Sequence, residues 1–379
     1  MTITYTFLGK GGTGKTTIAF ATAKRYASQG KRVLFVGQEP ASTLSLILGA
    51  NIGPEPTEID SNLKAVHIMA SSLLESGWKE LKKLEAEYVR TPFFKKVYGQ
   101  ELGVLPGVEG ILTINAMQEY SASGKYDLII YDGSGDKETL RLLGSAEIMS
   151  WYIRRFRQVI LDSDLYKAIS PFVQPVSNAI LNVDWTGNNF SQPTEKINEL
   201  LDNAKATIAD PNRVAAYLVT TKDKAAIATA RYLWGSAQQV NLTVGGVILN
   251  QADNVDNITA EFSPLSVTPV PRRSTENWQP LMDALPDFSQ AVKAPKPIII
   301  DIDKSQVSLF LPSFDKKQIG LIQDGARSNY RSRRPKKKYF PSSTPKWKTC
   351  SWCQVPKRLF DYFFLKGLGD REEEKKINF

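Results

Sequence analysis

Residues 7 to 19 read FLGKGGTGKTTIA. Gly9, Gly14, Lys15 and Thr16 satisfy G-x-x-x-x-G-K-[ST]. At that spacing backbone N–H groups converge on phosphate oxygens, the lysine reaches the β- and γ-phosphates, and the hydroxyl ligates Mg²⁺. Glycines are required because a side chain would hold the backbone away from the anion. Average composition gives odds of roughly 1 in 100 for a chance match in a chain this long. The backbone of Gly11, Gly12, Thr13 and Gly14, with Lys15, Thr16 and Thr17, is therefore expected to bind nucleotide phosphates. A phosphate loop also needs an acidic residue at the end of a second strand to hold Mg²⁺, usually through water. The run YDLIIYDGSGDKETLRLL supplies Asp132 directly after an apolar strand.

These residues need a scaffold that fixes them. Ile3–Leu8 reads as a strand leading into the loop, and Thr16–Ser28 as an amphipathic helix whose N-terminal dipole faces the phosphates. Further strand-like runs at Arg32–Val36, Ala65–Met69, Asp127–Tyr131, Ala215–Thr220 and Val244–Leu249 alternate with helical stretches. That alternation predicts an α/β fold with a parallel sheet covered by helices. Helical insertions are expected at about 70–123 and 145–208, the first far longer than a crossover needs. Pro286–Pro297 reads as a linker, so a nucleotide-binding domain spans 1–290. Three short strand-like pieces then open a small β module at 291–325, and a basic tail fills 326–379.

The formal net charge of +9 belongs to that tail, which holds 15 Lys and Arg against 5 Asp and Glu. The rest of the chain carries 33 against 34 and is close to neutral. No nucleic acid partner is expected of such a body, although the basic, aromatic tail admits RNA or an anionic membrane as an alternative. Both cysteines, Cys350 and Cys353, lie in the tail, which excludes a disulfide or cysteine metal site from the body. His67 is the single histidine and reads as structural. No apolar run approaches the roughly 20 residues of a membrane span. Because the phosphate loop begins at the N-terminus, no cleaved signal is expected there, and a soluble, cytoplasmic protein without stable membrane insertion follows.

The form G-K-G-G-x-G-K-T-T, here Gly9 to Thr17, resembles the deviant phosphate loop of ATPases such as MinD, ParA, the nitrogenase iron protein and the arsenite-pump ATPase. Other segments are similar to the family of the arsenite-pump ATPase and the tail-anchored-protein targeting ATPase. Its second-switch segment typically reads D-T-A-P-T-G-H-T-L-R, against DGSGDKETLR at Asp132–Arg141. Its D-P-A-x-x-L-S resembles EPASTLS at Glu39–Ser45, its P-G-x-x-E resembles LPGVEGI at Leu105–Ile111, and its V-V-N-Q resembles GVILNQ at Gly246–Gln251. SLFLPSFDKKQIGLIQDG resembles the start of the alpha-crystallin-like module that some members carry.

The resemblance implies a P-loop ATPase binding ATP and Mg²⁺ and working as a homodimer through its nucleotide face. Lys15 would serve its own subunit, Lys10 the partner's nucleotide, and Thr16 and Asp132 the metal. Glu39 stands where the family's water-orienting aspartate stands, one methylene longer. Asn250 would recognise adenine, aided by backbone near Pro271. The A-P-T-G core of the second switch is replaced by Ser134, Gly135, Asp136 and Lys137. The body cysteines that serve zinc or metalloids in the family are absent, and the chain has only five methionines to line a client groove. The expected function is a dimeric ATP switch that binds a hydrophobic protein client. The alternatives are a nucleotide-dependent scaffold with little hydrolysis and, less favoured, a metalloid-pump subunit.

The tail is expected to be an out-of-frame translation, without a packed β module and with inert cysteines. With one permitted codon choice, a one-base shift turns Tyr330–Phe340 into a strand, turn and strand. Tryptophan has a single codon, so the shift forces glycine at Trp347 and Trp352, where turns are wanted.

Overall fold

The computed structural model describes residues 2–69, 72–73, 108–150, 191–255, 257–274, 277–301, 306–310, 312, 319–324, 327–332, 337–339 and 362–366. In chain order its elements are β1 (Ile3–Leu8), α1 (Lys15–Ser28), β2 (Val33–Gly37), α2 (Ala41–Leu48), β3 (Thr57–Asp60), β4 (Leu63–His67), α3 (Val108–Ala122), β5 (Leu128–Asp132), α4 (Lys137–Leu143) and α5 (Ser191–Ala209). There follow β6 (Val214–Thr220), α6 (Lys224–Gln239), β7 (Val244–Asn250), α7 (Ile258–Phe262), β8 (Val267–Val270), α8 (Gln279–Ala284) and a 3-10 helix at Phe288–Lys293. The last strands are β9 (Ile298–Asp301), β10 (Gln306–Phe310), β11 (Ile319–Asp324), β12 (Arg327–Ser332), β13 (Lys337–Tyr339) and β14 (Tyr362–Lys366). The strands run in the order β3-β4-β2-β5-β1 in one part of the chain and β6-β7-β8 in another. By compactness the chain divides into two units, Met1–Phe7 with Lys15–Val214, and Leu8–Gly14 with Ala215–Phe379.

In the first unit β5 pairs in parallel with β1, from Ile3↔Leu128 to Thr6↔Tyr131, and with β2, from Val33↔Leu128 to Gly37↔Asp132. β2 also pairs in parallel with β4. Strands buried on both faces read as continuous apolar runs, which is why VLFVG and LIIYD are buried at every position. Each Leu, Ile, Val or Phe so buried stabilises the fold by about 1.5–3 kcal/mol. α1 presents Ile18, Phe20 and four buried alanines to the sheet, with Phe20 edge-on to Phe35 at 5.8 Å between ring centres. Small residues on this face let the helix approach the sheet closely. β3 runs antiparallel to β4 as an edge strand. It has no alternating apolar face, with three of its four residues exposed, and periodicity alone does not reveal it.

In the second unit β7 pairs in parallel with β6 and with β8. All seven residues of β6 are buried. β8 contains Pro269, which removes a ladder donor and suits a strand at the rim of a sheet. The prolines that suggested a linker at Pro286–Pro297 flank a docked segment instead. Phe288 and Ala291 of the 3-10 helix are buried, and Phe288 stacks edge-on against Tyr217 at 4.6 Å. The Tyr217 hydroxyl donates to the Phe288 carbonyl at 2.9 Å. A single aromatic anchor fixes this stretch, and one anchor leaves no periodic trace.

The three strands expected after residue 297 form as β9, β10 and β11. Phe310 of β10 packs 5.6 Å from the ring of Trp234 on α6. Strands continue past Gly325, where the sequence suggests that the β module stops: β12 pairs with β11 and β13, and β14 with β10, all antiparallel. Backbone pairing is tolerant of side-chain identity, and Tyr and Phe in these strands favour it. α3 and α5 fall in the expected helical insertions; 74–107 and 151–190 lie outside the described residues, as do Leu105, Pro106, Cys350 and Cys353. His67 ends β4, buried, as a structural position predicts.

Candidate phosphate-binding site

In the first unit, Lys15 opens α1 and Asp132 closes β5, so a helix start and a strand end supply the two residue types that phosphate and metal require. Asp132 is 2% exposed. Burial pushes its carboxyl up to about 7, and the nearby Glu39 charge adds to this. The Thr16 hydroxyl hydrogen bond and the Lys15 ammonium oppose it. Asp132 Oδ2 is buried without a hydrogen-bond partner. A carboxylate stripped of water with one oxygen bare is costly unless a cation completes it. The hydroxyl of Thr16 and the carboxylate of Asp132 are hard oxygen donors of the kind Mg²⁺ takes while keeping water and phosphate ligands. Among the described residues no group of three or more His, Cys, Asp or Glu forms a metal cage.

The segment after Asp132 leans on Lys15. Gly135 has φ +64°, and a Cβ there would lie 2.2 Å from Lys15 Cε and 2.6 Å from the Phe7 carbonyl oxygen. Only glycine fits between the lysine stem and that carbonyl. Asp136 accepts from the Glu138 N–H at 2.8 Å and from the Ser134 hydroxyl at 2.7 Å, capping α4. Its carboxylate is thereby held in a local role. Glu39 is exposed, between Gln38 and Pro40, just ahead of α2. Thr17 is half-buried in the first turn of α1. On α2, Leu46 stands 85% exposed.

In the second unit, the loop turns tightly because the Lys10 carbonyl accepts from Thr13 twice, from its N–H at 3.3 Å and its hydroxyl at 2.8 Å. The Lys10 side chain is exposed, as are Gly11 and Gly12. Asn250, at the end of β7 and 5% exposed, donates from Nδ2 to the Thr13 carbonyl at 2.8 Å. Its Oδ1 accepts from the Gln251 N–H at 2.9 Å, leaving one lone pair for a further donor. Gly14 has φ +89°, and a Cβ there would meet Asn250 Nδ2 at 2.2 Å. The register Asn250↔Val270 puts Pro271 one residue beyond Asn250's partner. Two residues further on, Arg273 lies over the Trp278 ring at 4.0 Å.

A sequence profile of the anion-transporting ATPases matches residues 2–271. The chain belongs to the anion-transporting ATPase family. It is 32% identical over 212 residues to the "Putative arsenical pump-driving ATPase" of Chlorobaculum tepidum, an overlap of 54% of this chain and 51% of that protein. It is 23% identical over 245 residues to "ATPase ASNA1 homolog 1" of Paramecium tetraurelia, covering 64% of this chain and 73% of that one. The chain thus spans about half the length of the pump-driving relative it matches.

For this member of the anion-transporting ATPases, the expected residues Lys15, Thr16 and Glu39 each act on Asp132 within the first unit. Thr13, Gly14 and Asn250 do so within the second. Sequence spacing gave no sign of Gln38, Thr113 and Tyr131, which meet beside Glu39. The Tyr131 hydroxyl donates to Gln38 Oε1 at 2.7 Å, and Gln38 Nε2 donates to the Thr113 hydroxyl at 3.3 Å. They stand 93 and 75 residues apart, so no local pattern could mark them.

Proposed function

We propose that this chain is an ATP-hydrolysing switch that works as a homodimer closing through its nucleotide face. The buried carboxylate of Asp132, with one oxygen bare beside the Thr16 hydroxyl, carries this reading. The backbone N–H groups of Gly11–Gly14 and the start of α1 would cradle the phosphates. Lys15 would neutralise the β- and γ-phosphates of its own nucleotide. Thr16 and Asp132 would hold Mg²⁺, which when bound supplies charge neutralisation of the phosphates. Glu39 would orient a water and accept its hydrogen bond as oxygen attacks the γ-phosphorus. The bond to the ADP oxygen then breaks, and ADP and phosphate leave. The exposed Lys10 would stabilise developing charge on the partner's nucleotide. Asn250 Oδ1 and backbone near Pro271 would read adenine. Family membership supports the ATPase class, and the loop with its two lysines supports the dimer and ATP with Mg²⁺.

A hydrophobic protein is the client we propose, supported by Leu46 standing out of α2 two turns from Glu39. Among the described residues no helix is long and apolar enough to cross a membrane. The domain limits proposed are 1–290 for the ATPase and 291–325 for the start of the β module. Phosphate release from the purified chain with Mg²⁺ and ATP tests the function. Turnover is expected, abolished by Lys15→Ala with loss of nucleotide binding, and slowed by Glu39→Gln with binding retained. Tight ATP binding with no turnover in the native chain would instead indicate the nucleotide-dependent scaffold.

A further inference from the structure

Three hydrogen bonds converge on Gln38, the residue before Glu39. Its backbone N–H donates to the Asp132 carbonyl at 3.1 Å. Its side-chain oxygen accepts from the Tyr131 hydroxyl at 2.7 Å, and its side-chain nitrogen donates to the Thr113 hydroxyl at 3.3 Å. Tyr131 is 2% exposed and Thr113 fully buried, so both partners are fixed by packing rather than by solvent. A buried phenol keeps its hydroxyl near an acceptor because an unpaired one is costly. On the other side, a Cβ at Gly133 would come within 2.7 Å of the Tyr131 hydroxyl and 3.0 Å of the Thr139 hydroxyl. Thr139 in turn accepts from the Gly135 N–H at 2.9 Å, and Gly135 packs on Lys15. One phenol therefore touches both segments that flank the phosphate site, Gln38 on one and Gly133 on the other, and Gln38 extends the chain of contacts to α3.

We propose that Gln38 and Tyr131 are positioning residues that set Glu39 in place and couple the Gly133–Thr139 segment to α3. Glu39 has only one residue, Gln38, between it and the end of β2, and Pro40 fixes the backbone on its other side. Anchoring Gln38 at three points thus limits where the Glu39 carboxylate can go. When the Gly133–Thr139 segment responds to a γ-phosphate, the Tyr131 hydroxyl must follow or lose its contact, and Gln38 carries the displacement to Thr113. Packed contacts of this kind transmit small shifts because dense cores do not absorb them. The positioning role rests on the reading of Glu39 as the water-orienting carboxylate; the coupling to α3 does not.

Tyr131→Phe removes one oxygen and keeps the ring, and Gln38→Met keeps the length while removing both polar ends. Hydrogen exchange of the whole chain, with and without Mg²⁺ and a slowly hydrolysed ATP analogue, reads the coupling. In the native chain, protection of 133–143 and of 108–122 should change together on adding nucleotide. In either variant 133–143 should still respond while 108–122 no longer does. Turnover should fall about fivefold in Tyr131→Phe, the loss of one neutral hydrogen bond, and at least as far in Gln38→Met, which loses two, with nucleotide affinity unchanged. The double variant should fall no further than Gln38→Met alone, since both changes break the same chain. Native coupling in Tyr131→Phe and Gln38→Met, or a drop in melting temperature with unchanged exchange and turnover, would overturn the inference. Glu39→Gln run in parallel separates the two claims: unchanged turnover there overturns the Glu39 role, while the exchange result judges the coupling alone.

Discussion

Replacing Asn250 by alanine removes the donor that satisfies a buried carbonyl of the phosphate loop. Thr13 is 3% exposed, so its carbonyl has little water to turn to when the 2.8 Å bond from Asn250 Nδ2 is lost. A buried polar group left unpaired costs about 1–3 kcal/mol. The Gln251 N–H, which donates to Asn250 Oδ1 at 2.9 Å, loses its acceptor as well, at about 0.5–1.5 kcal/mol. Gln251 holds a left-handed backbone, φ +59°, that this bond helps to fix. The sum is about 1.5–4.5 kcal/mol, which at a urea slope of about 3 kcal/mol per molar lowers the unfolding midpoint by about 0.5–1.5 M. Asn250→Asp is the sharper control. It keeps the size and the acceptor for Gln251 but faces the Thr13 carbonyl with a second oxygen, so it should be no more stable than the alanine variant. ATP affinity should fall with loop order in both. If both variants unfold within about 0.5 kcal/mol of the native chain, the brace has no energetic weight. A change confined to the preference for ATP over GTP would then reduce Asn250 to a base contact.

Lys10→Ala should lose hydrolysis while keeping most of its ATP binding, and gel filtration of the native chain with a slowly hydrolysed ATP analogue should show a dimer. A strict monomer with and without the analogue refutes the trans role of Lys10. Phe288→Ala should cost about 3–5 kcal/mol in urea unfolding, as removal of a fully buried phenylalanine does; a loss under 1 kcal/mol would return this segment to the status of a linker. Arg32 holds the Asp127 carboxyl below the usual carboxylate range, through the guanidinium hydrogen bond first, the backbone N–H hydrogen bond second, and its charge to a smaller extent. Because the folded value lies below the unfolded one near 4, the pair's contribution is present above about pH 4 and lost as the pH falls through the folded value. Asp127→Asn should therefore melt slightly below the native chain at pH 7 and converge with it in acid, and a constant gap down to pH 2 would refute the linkage. Resequencing the gene through codon 326 should reveal a one-base shift, and an intact frame in several independent reads would rule it out.

The phosphate loop was legible because its chemistry is local: glycine, lysine and threonine at fixed spacing need no knowledge of the fold. Asp132 was legible for a related reason, since an apolar run ending in a carboxylate marks a strand that stops at a charge. Asn250 was found as a residue but not as a brace, because its partner Thr13 lies 237 positions away. The meeting of Gln38, Tyr131 and Thr113 is hidden for the same reason. β8 escaped notice because four residues containing a proline carry too short a pattern, and β3 because an exposed edge strand has no apolar side. The linker expectation failed where composition outweighed one aromatic side chain: proline and polar residues suggested freedom, and Phe288 removed it.

Gly135 bears on how this chain can change over generations. Its backbone stands at φ +64°, whereas the family's usual segment D-T-A-P-T-G-H-T-L-R has proline at the matching place, which fixes φ near −65°. The two loops thus differ by about 130° at a single bond, although they have the same length. Glycine suits either shape, so the step from proline to glycine is open, but the return is blocked while the Lys15 stem lies 2.2 Å from where a Cβ would stand. Restoring the proline here would swing the chain away from the Lys15 stem, while the capping aspartate that follows would lose its helix start. Variation in this segment is therefore expected to be inherited in blocks, with Gly135, Asp136 and the residues that touch them replaced together or not at all.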